Sequence, residues 1–169
     1  MDRPLPNTYW VISGRVLAGE HPTGADRAES RIRLARLHEA GIDSFVDLTE
    51  KGEMPTYRHL LPRGTEYVRS AIADTRVPDS VAQTRKVLAG IQKSLDSGRR
   101  TYVHCRAGIG RTGLIVGCFL ADQEPIGESA LETLNRLWRQ SDRSKSWPTV
   151  PQTAEQADYI RHWPKLGKL

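Results

Sequence analysis

Residues 104–113 read His104-Cys105-Arg106-Ala107-Gly108-Ile109-Gly110-Arg111-Thr112-Gly113. A thiol is followed six positions later by a guanidinium, with glycines between them. Glycines let a loop turn its backbone N–H groups inward, and a helix starting there adds its positive dipole end. Such a cradle holds an anion, and Arg111 can grip two of its oxygens with a planar fork. The same surroundings favour the thiolate of Cys105, which is the nucleophilic form. These residue types at this spacing could attack a bound phosphate ester.

Other readings of the segment fare less well. A cysteine is often a small buried hydrophobe; that suits Cys118, inside an apolar stretch, but not Cys105, whose neighbours build an anion site. Gly108-x-Gly110-x-x-Gly113 spells a dinucleotide fingerprint, yet no acidic residue caps a second strand at the required distance. A nucleotide phosphate loop needs Gly-Lys-Ser/Thr, whereas Arg111 stands at the lysine position and the first glycine is missing.

A loop of this kind must leave the end of a strand. Thr101–His104 reads as a compact strand, and Arg111–Ala121 as a helix apolar almost all round, hence central and buried. Around them, Val11–Ala18 predicts a strand or hairpin about Ser13-Gly14, ending at His21-Pro22-Thr23-Gly24. Asp26–Ala40 predicts a helix with Ala28, Ile32, Ala35 and Leu37 on its inner side and Gly41 as its stop. Phe45–Leu48 and Tyr67–Ile72 predict strands. Ser80 with Gln83 opens a helix through a capping-box pattern; its stripe is Val81, Leu88, Ile91 and Leu95, and Ser97-Gly98 ends it. Helices are expected over 126–139, with Ala130, Leu134, Leu137 and Trp138 inward, and over 152–163. Strands alternating with helices predict an α/β fold, a small central and mostly parallel sheet flanked by helices. Ligands of such sheets bind outside the carboxyl ends of the strands, which is where residues 105–111 would lie.

Composition agrees. At 169 residues, 38% hydrophobic and 27% charged, the chain can fill one core without staples, and a single domain over 1–169 is expected, with 1–25 as an N-terminal extension. No apolar run approaches the about 18 residues of a membrane span; the longest, Leu114–Ala121, is interrupted by Gly117. Met1–Asn7 carries no apolar core of a secretory signal, and two cysteines make no disulfide framework, so a reducing cytoplasm is expected. A formal charge of +5 and a pI near 9.5 favour anionic partners without choosing among them.

His104-Cys105-x-x-Gly108-x-x-Arg111-Thr112 resembles the signature of the cysteine-dependent protein tyrosine and dual-specificity phosphatases. Ile72-Ala73-Asp74 followed by Val77-Pro78-Asp79 resembles the general-acid loop of that family, and Gln152-Thr153-Ala154-Glu155-Gln156 its glutamine loop. Gly52-Glu53, Tyr57-Arg58, the acid loop, the signature and the Gln-Thr segment follow one another as in the kinase-associated and related cell-cycle dual-specificity phosphatases. This pattern spans residues 40–163; the first 25 match weakly. Low-molecular-weight phosphatases carry the signature early and the acid late, and rhodaneses and arsenate reductases share only the Cys-to-Arg spacing.

The resemblance implies a phosphatase-like fold and hydrolysis of phosphate monoesters, phosphotyrosine and with it phosphoserine and phosphothreonine in proteins, through a phosphocysteine. Cys105 is then the nucleophile, Arg111 and the N–H groups of Arg106, Ala107, Gly108, Ile109, Gly110 and Arg111 the phosphate cradle, and Asp74 the general acid, with Asp79 and Asp47 as competitors. Thr112 is expected to donate its hydroxyl to the thiolate or to cap the helix start. His104 is expected to set the loop by hydrogen bonding. Gln152 and Gln156, four apart, are expected on one helix face, positioning water. Glu53 is a supporting candidate, as are Tyr57 and Arg58. Histidines 21, 38, 59 and 162 show no metal-ligand spacing, so neither metal nor cofactor is expected. An inositol lipid or inositol phosphate substrate is the alternative, and a non-catalytic phosphate-binding module a third reading. No nucleic acid partner, no membrane insertion and a monomer are expected.

Overall fold

The computed structural model describes residues 1–123 and 127–166. In chain order the elements are β1 (Thr8–Ile12), β2 (Val16–Gly19), α1 (Arg27–Glu39), β3 (Ser44–Asp47), β4 (Glu66–Arg69), α2 (Val81–Asp96), β5 (Thr101–His104), α3 (Gly110–Gln123), α4 (Gly127–Trp138) and α5 (Ala154–Leu166). Short 3-10 turns occupy Arg58–Leu60 and Asp142–Lys145. The expected helix start at Ile126 lies outside the described residues.

The strands form one mixed sheet in the order β1-β2-β5-β3-β4. β1 is antiparallel to β2, and the other pairings are parallel. β5 is therefore central, and every residue in it is buried. Side-chain alternation divides the interior in two. Val16, Ala18, Val46 and Val103 face a core shared with α2 to α5. Leu17, Phe45 and Tyr102 face a second cluster with Leu34 and Leu37 of α1 and with Tyr57. Residues 1–25 are part of this body, since β1 and β2 supply two strands and Gln140 bonds both backbone groups of Trp10 along the outer edge of β1.

α3 is buried from Gly110 through Ala121, as its all-round apolar sequence requires, and it packs against α4 and α5. α2 starts as expected, with the Ser80 hydroxyl accepting from Gln83 N–H. α1 departs from expectation. Its buried residues are Ser30, Leu34 and Leu37, while Ile32 is exposed and Ala28 and Ala35 face solvent. The face is fixed by local polar geometry: the Ser30 hydroxyl donates to Asp26 O and accepts from Gly24 N–H, pinning the first turn inward. α5 begins two residues later than expected, at Ala154, so Gln152 precedes the helix and does not share a face with Gln156.

Candidate active site

β5 delivers His104 to the carboxyl end of the sheet, and the chain then loops through residues 105–109 into α3. Cys105 is buried at the start of this loop, 3% exposed. Gly108 sits at φ +75, a conformation that glycine adopts at little cost. A Cβ there would lie 2.5 Å from the backbone carbon of Gly19, so the loop rests directly on the end of β2. His21 N–H donates to Arg106 O at 3.0 Å, tying the loop to the same segment.

Arg111, in the first turn of α3, is 1% exposed. Nη1 donates to Glu53 Oε2 at 2.8 Å and to Ile72 O at 2.9 Å, while Nη2 lies 2.5 Å from Glu53 Oε1 and 3.2 Å from Asp74 Oδ1. Its Nε is buried and makes no hydrogen bond among the described residues, leaving one donor for another anion. Burial works against this cation, but the hydrogen bonds and charge of Glu53, with the electrostatic influence of Cys105 and Asp74, more than offset it, so its pKa is raised. Glu53 in turn is held below the ordinary carboxylate range, first by its hydrogen bond from Arg111.

The segment between β4 and α2 brings Asp74 to the same guanidinium. Asp74 Oδ2 pairs with Arg106 Nη2 at 2.5 Å. The following Thr75 has φ 65, an outlying conformation for a β-branched residue that costs about 1–3 kcal/mol. Contacts on both sides hold the loop: Arg111 grips Ile72 O, and Gln156 Nε2 donates to Arg76 O at 3.0 Å. Asp79 is exposed just ahead of the Ser80 cap, and its N–H is received by Gln83.

Gln156 is fully buried and occupied. Its Oε1 accepts from Gln152 N–H and Thr153 N–H, and Thr153 Oγ1 accepts from Gln156 N–H, a capping box that the Thr153-x-x-Gln156 spacing announces in the sequence. Exposed Gln152 and buried Gln156 both lie over Gly110, whose added Cβ would meet the Oε1 of each at 3.0 Å. The Thr112 hydroxyl, in the first turn of α3, is directed to Gly19 O at 3.4 Å rather than to the thiol or to a helix cap.

Beneath the loop lies a ring cluster. His104 Nε2 meets Tyr57 OH at 2.5 Å and its Nδ1 lies 3.2 Å from Cys105 O. His21 stands edge-on to both His104 and Tyr57. Burial lowers the pKa of both histidines, that of His21 to about 3. The fold brings ligand atoms of His21, Asp47 and His104 within 4.8 Å of one another, a proximity that sequence spacing does not reveal. The Asp47 carboxylate is already engaged by Thr49, Tyr67 and Arg69, so a guanidinium supplies the cation there.

Two contributors have no mark in the sequence. His21 acts through its backbone N–H, which any residue but proline carries. Arg143 reaches Ala107 O with Nη1 and Glu20 Oε2 with Nη2, both at 2.7 Å. A lone arginine after α4 gives no signal of that reach. Cys118 is buried within α3, and burial pushes its thiol well above the ordinary value.

A family described as "Polymorphic toxin system, DSP-PTPase phosphatase" matches residues 21–124. "Putative tyrosine phosphatase 197R" of Invertebrate iridescent virus 6 is 29% identical over 126 residues, covering 73% of this chain and 45% of that protein. The chain spans less than half the length of the curated relatives it matches. Among solved structures, Tk-PTP in the active form aligns with a TM-score of 0.77 at 23% identity, over 95% of this chain and 97% of that one. Kinase associated phosphatase aligns at 0.76 and 19%, over 96% of both chains. Among the described residues no helix is long and apolar enough to cross a membrane.

Proposed function

The chain belongs to the DSP-PTPase phosphatases, within the cysteine-dependent protein tyrosine and dual-specificity superfamily, and we propose that it hydrolyses phosphate monoesters in proteins, on tyrosine and also on serine and threonine, through a phosphocysteine. The observation that carries this reading is the buried Arg111 guanidinium, its Nε unpartnered among the described residues, at the helix end of the short loop that begins with the buried Cys105 thiol. Phosphate monoester hydrolysis is among the slowest uncatalysed reactions, and a covalent route divides it into two easier steps.

In the first step the Cys105 sulfur bonds to phosphorus as the P–O ester bond breaks, and Asp74 gives its proton to the departing oxygen. In the second, water attacks phosphorus, Asp74 takes a proton from it, the S–P bond breaks, and inorganic phosphate leaves. Arg111 and the loop N–H groups hold the three equatorial oxygens throughout. Glu53 keeps the guanidinium in place. Gln152, exposed over Gly110, is the better placed of the two glutamines to orient the water, because the Gln156 amide is spent on the acid loop and the α5 cap. The free thiols of Cys105 and Cys118 support a reducing compartment such as the cytoplasm.

A panel of phosphotyrosine, phosphoserine and phosphothreonine peptides, inositol lipids and inositol phosphates, assayed for phosphate release, tests the reading. Turnover of the peptides is expected, abolished by Cys105→Ser, with phosphate-ester binding retained. Release from inositol compounds alone overturns the protein-substrate assignment. Turnover that survives Cys105→Ser overturns the mechanism, and binding without turnover returns the chain to a phosphate-binding module.

A further inference from the structure

We propose that Arg143, in the 3-10 turn after α4, is a positioning residue for the phosphate cradle. It acts by holding the Ala107 carbonyl outward so that the next amide points in. The proposal rests on the anion-binding reading of the loop given above and extends it to a residue outside every motif.

A trans peptide unit is planar, so its C=O and the following N–H point in opposite directions. Whatever fixes a carbonyl on one side therefore aims the next amide to the other. Two successive carbonyls of the loop are fixed in this way. Arg106 O accepts from His21 N–H at 3.0 Å, and Ala107 O accepts from Arg143 Nη1 at 2.7 Å. The amides so aimed are those of Ala107 and Gly108, in the middle of the cradle. Gly108 needs such an anchor more than its neighbours, because at φ +75 and without a side chain it has the freest backbone in the loop.

The second anchor is charged, and its own position is fixed. Arg143 Nη2 bonds Glu20 Oε2 at 2.7 Å, and the same carboxylate receives Arg33 Nη2 at 2.6 Å and Asn7 Nδ2 at 3.0 Å. Glu20 follows Gly19, on which Gly108 rests, so the guanidinium bridges the loop and the surface that supports it. A cationic donor on a carbonyl also polarises the peptide, making the Gly108 N–H a stronger donor toward an oxyanion. Lysine offers a point charge and reaches one of these two acceptors at a time.

The alternative is that Arg143 merely ties the N-terminal strands to the turn after α4. Affinity for inorganic phosphate separates the two roles, because it reads the cradle without turnover. Calorimetric titration of phosphate and thermal unfolding are measured on the wild-type chain and on Arg143→Ala, Arg143→Lys and Glu20→Gln. Arg143→Ala is expected to weaken phosphate about tenfold, to lower kcat/KM on an aryl phosphate at least as far, and to unfold within a few degrees of wild type. Arg143→Lys is expected to recover part of the affinity. Glu20→Gln is expected to affect Tm more than phosphate binding. An affinity for Arg143→Ala within twofold of wild type, or one that falls only in step with its folded fraction, overturns the proposal. Should Arg143→Ala fail to fold, Arg143→Lys decides: weakening of several-fold supports the positioning role, and wild-type affinity overturns it. A wild-type chain that binds no phosphate overturns the anion-site reading itself, a result distinct from equal binding by wild type and variant.

Discussion

Glu53 and Arg111 close on one another as a two-pronged ion pair, Oε1 to Nη2 at 2.5 Å and Oε2 to Nη1 at 2.8 Å. The guanidinium is 1% exposed and the carboxylate 13%. A buried cation stripped of its partner is costly, and here the cation is also the one proposed to hold phosphate. Glu53→Ala is expected to lower kcat/KM by about 10–100-fold and to destabilise the fold by about 1–3 kcal/mol, the upper range for buried pairs being discounted for the residual exposure of Glu53. Glu53→Gln keeps the shape and one acceptor and should lose less. Steady-state kinetics with urea unfolding on the same preparations check this, and a kcat/KM within twofold of wild type would show that Arg111 holds its place unaided.

That pair marks where the sequence stops being legible. The strand, glycine loop and apolar helix from 101 to 121 are contiguous, and each states its own structure: a β-rich run, a turn that needs φ > 0, and a helix with no polar face. The central position of β5 followed from the burial of α3. Glu53 could be named only from its place in a family pattern, because the contact it makes spans 58 positions. On α1 the expected Leu37 is inward, but Ala28, Ile32 and Ala35 are not, although they recur as regularly as Ser30 and Leu34. Hydrophobicity preferred the first set, and the bonds of the Ser30 hydroxyl select the second. Gln152 and Gln156 were placed on one face by spacing alone, although the Thr153 cap puts the helix start between them. The reach of Arg143 to Ala107 depends on how the chain returns after α4, which no local pattern encodes.

The acid loop supplies the next expectation. Asp74 lies beside Arg106 and Arg111 on a loop held by Arg111 and Gln156. Removing its proton should matter most where the leaving oxygen is poor. Asp74→Asn is expected to cost roughly 10²–10⁴-fold on alkyl phosphates and less on an activated aryl phosphate. Rates across a series of leaving groups measure the difference. An equal loss on every substrate would mean that Asp74 only shapes the site, and Asp79 would be the next carboxylate to replace.

Gly108→Ala offers a test of the cradle itself. The added methyl would fall 2.5 Å from Gly19 carbon and 2.7 Å from Glu20 nitrogen, which are backbone atoms with no rotamer to change. The left-handed φ adds about 1–2 kcal/mol of strain. The loop must shift, so phosphate affinity and kcat/KM should both fall by more than tenfold while the rest of the sheet stays folded. By contrast, Gly98→Ala, whose added Cβ would meet no atom within 4 Å, should leave phosphate affinity unchanged despite a similar φ. A crystal structure of Gly108→Ala with phosphate bound as in wild type would contradict the tight seating of the loop.

Acid should unfold this protein earlier than its carboxylates alone would dictate. His21 and His104 lie with ring centroids 5.0 Å apart under the loop. Burial first, and then the charge of His104, brings His21 to about 3, and burial lowers His104 as well. Both titrate near 6.5 when unfolded. Between about 3 and 6.5 the unfolded chain therefore binds more protons than the folded one, and stability rises with pH across that window. The contribution is complete above about 6.5 and is lost as pH falls, by up to about 1.4 kcal/mol per pH unit for each fully neutral histidine. Asp47 acts in the same direction at lower pH. Burial alone would raise it, but the charge of His104 and the bonds from Thr49 and Tyr67 bring it to about 2, so its share is lost only below about pH 4. Urea midpoints should thus decline steadily from pH 7 to pH 4.5, before any carboxylate of ordinary pKa is half protonated. His21→Asn should flatten that decline while leaving the fall below pH 4 in place. Its backbone N–H still reaches Arg106 O, so activity at pH 7 should survive largely intact. A midpoint unchanged between pH 7 and 4.5 in the wild-type chain would mean that the two imidazoles titrate in the folded protein much as they do in water.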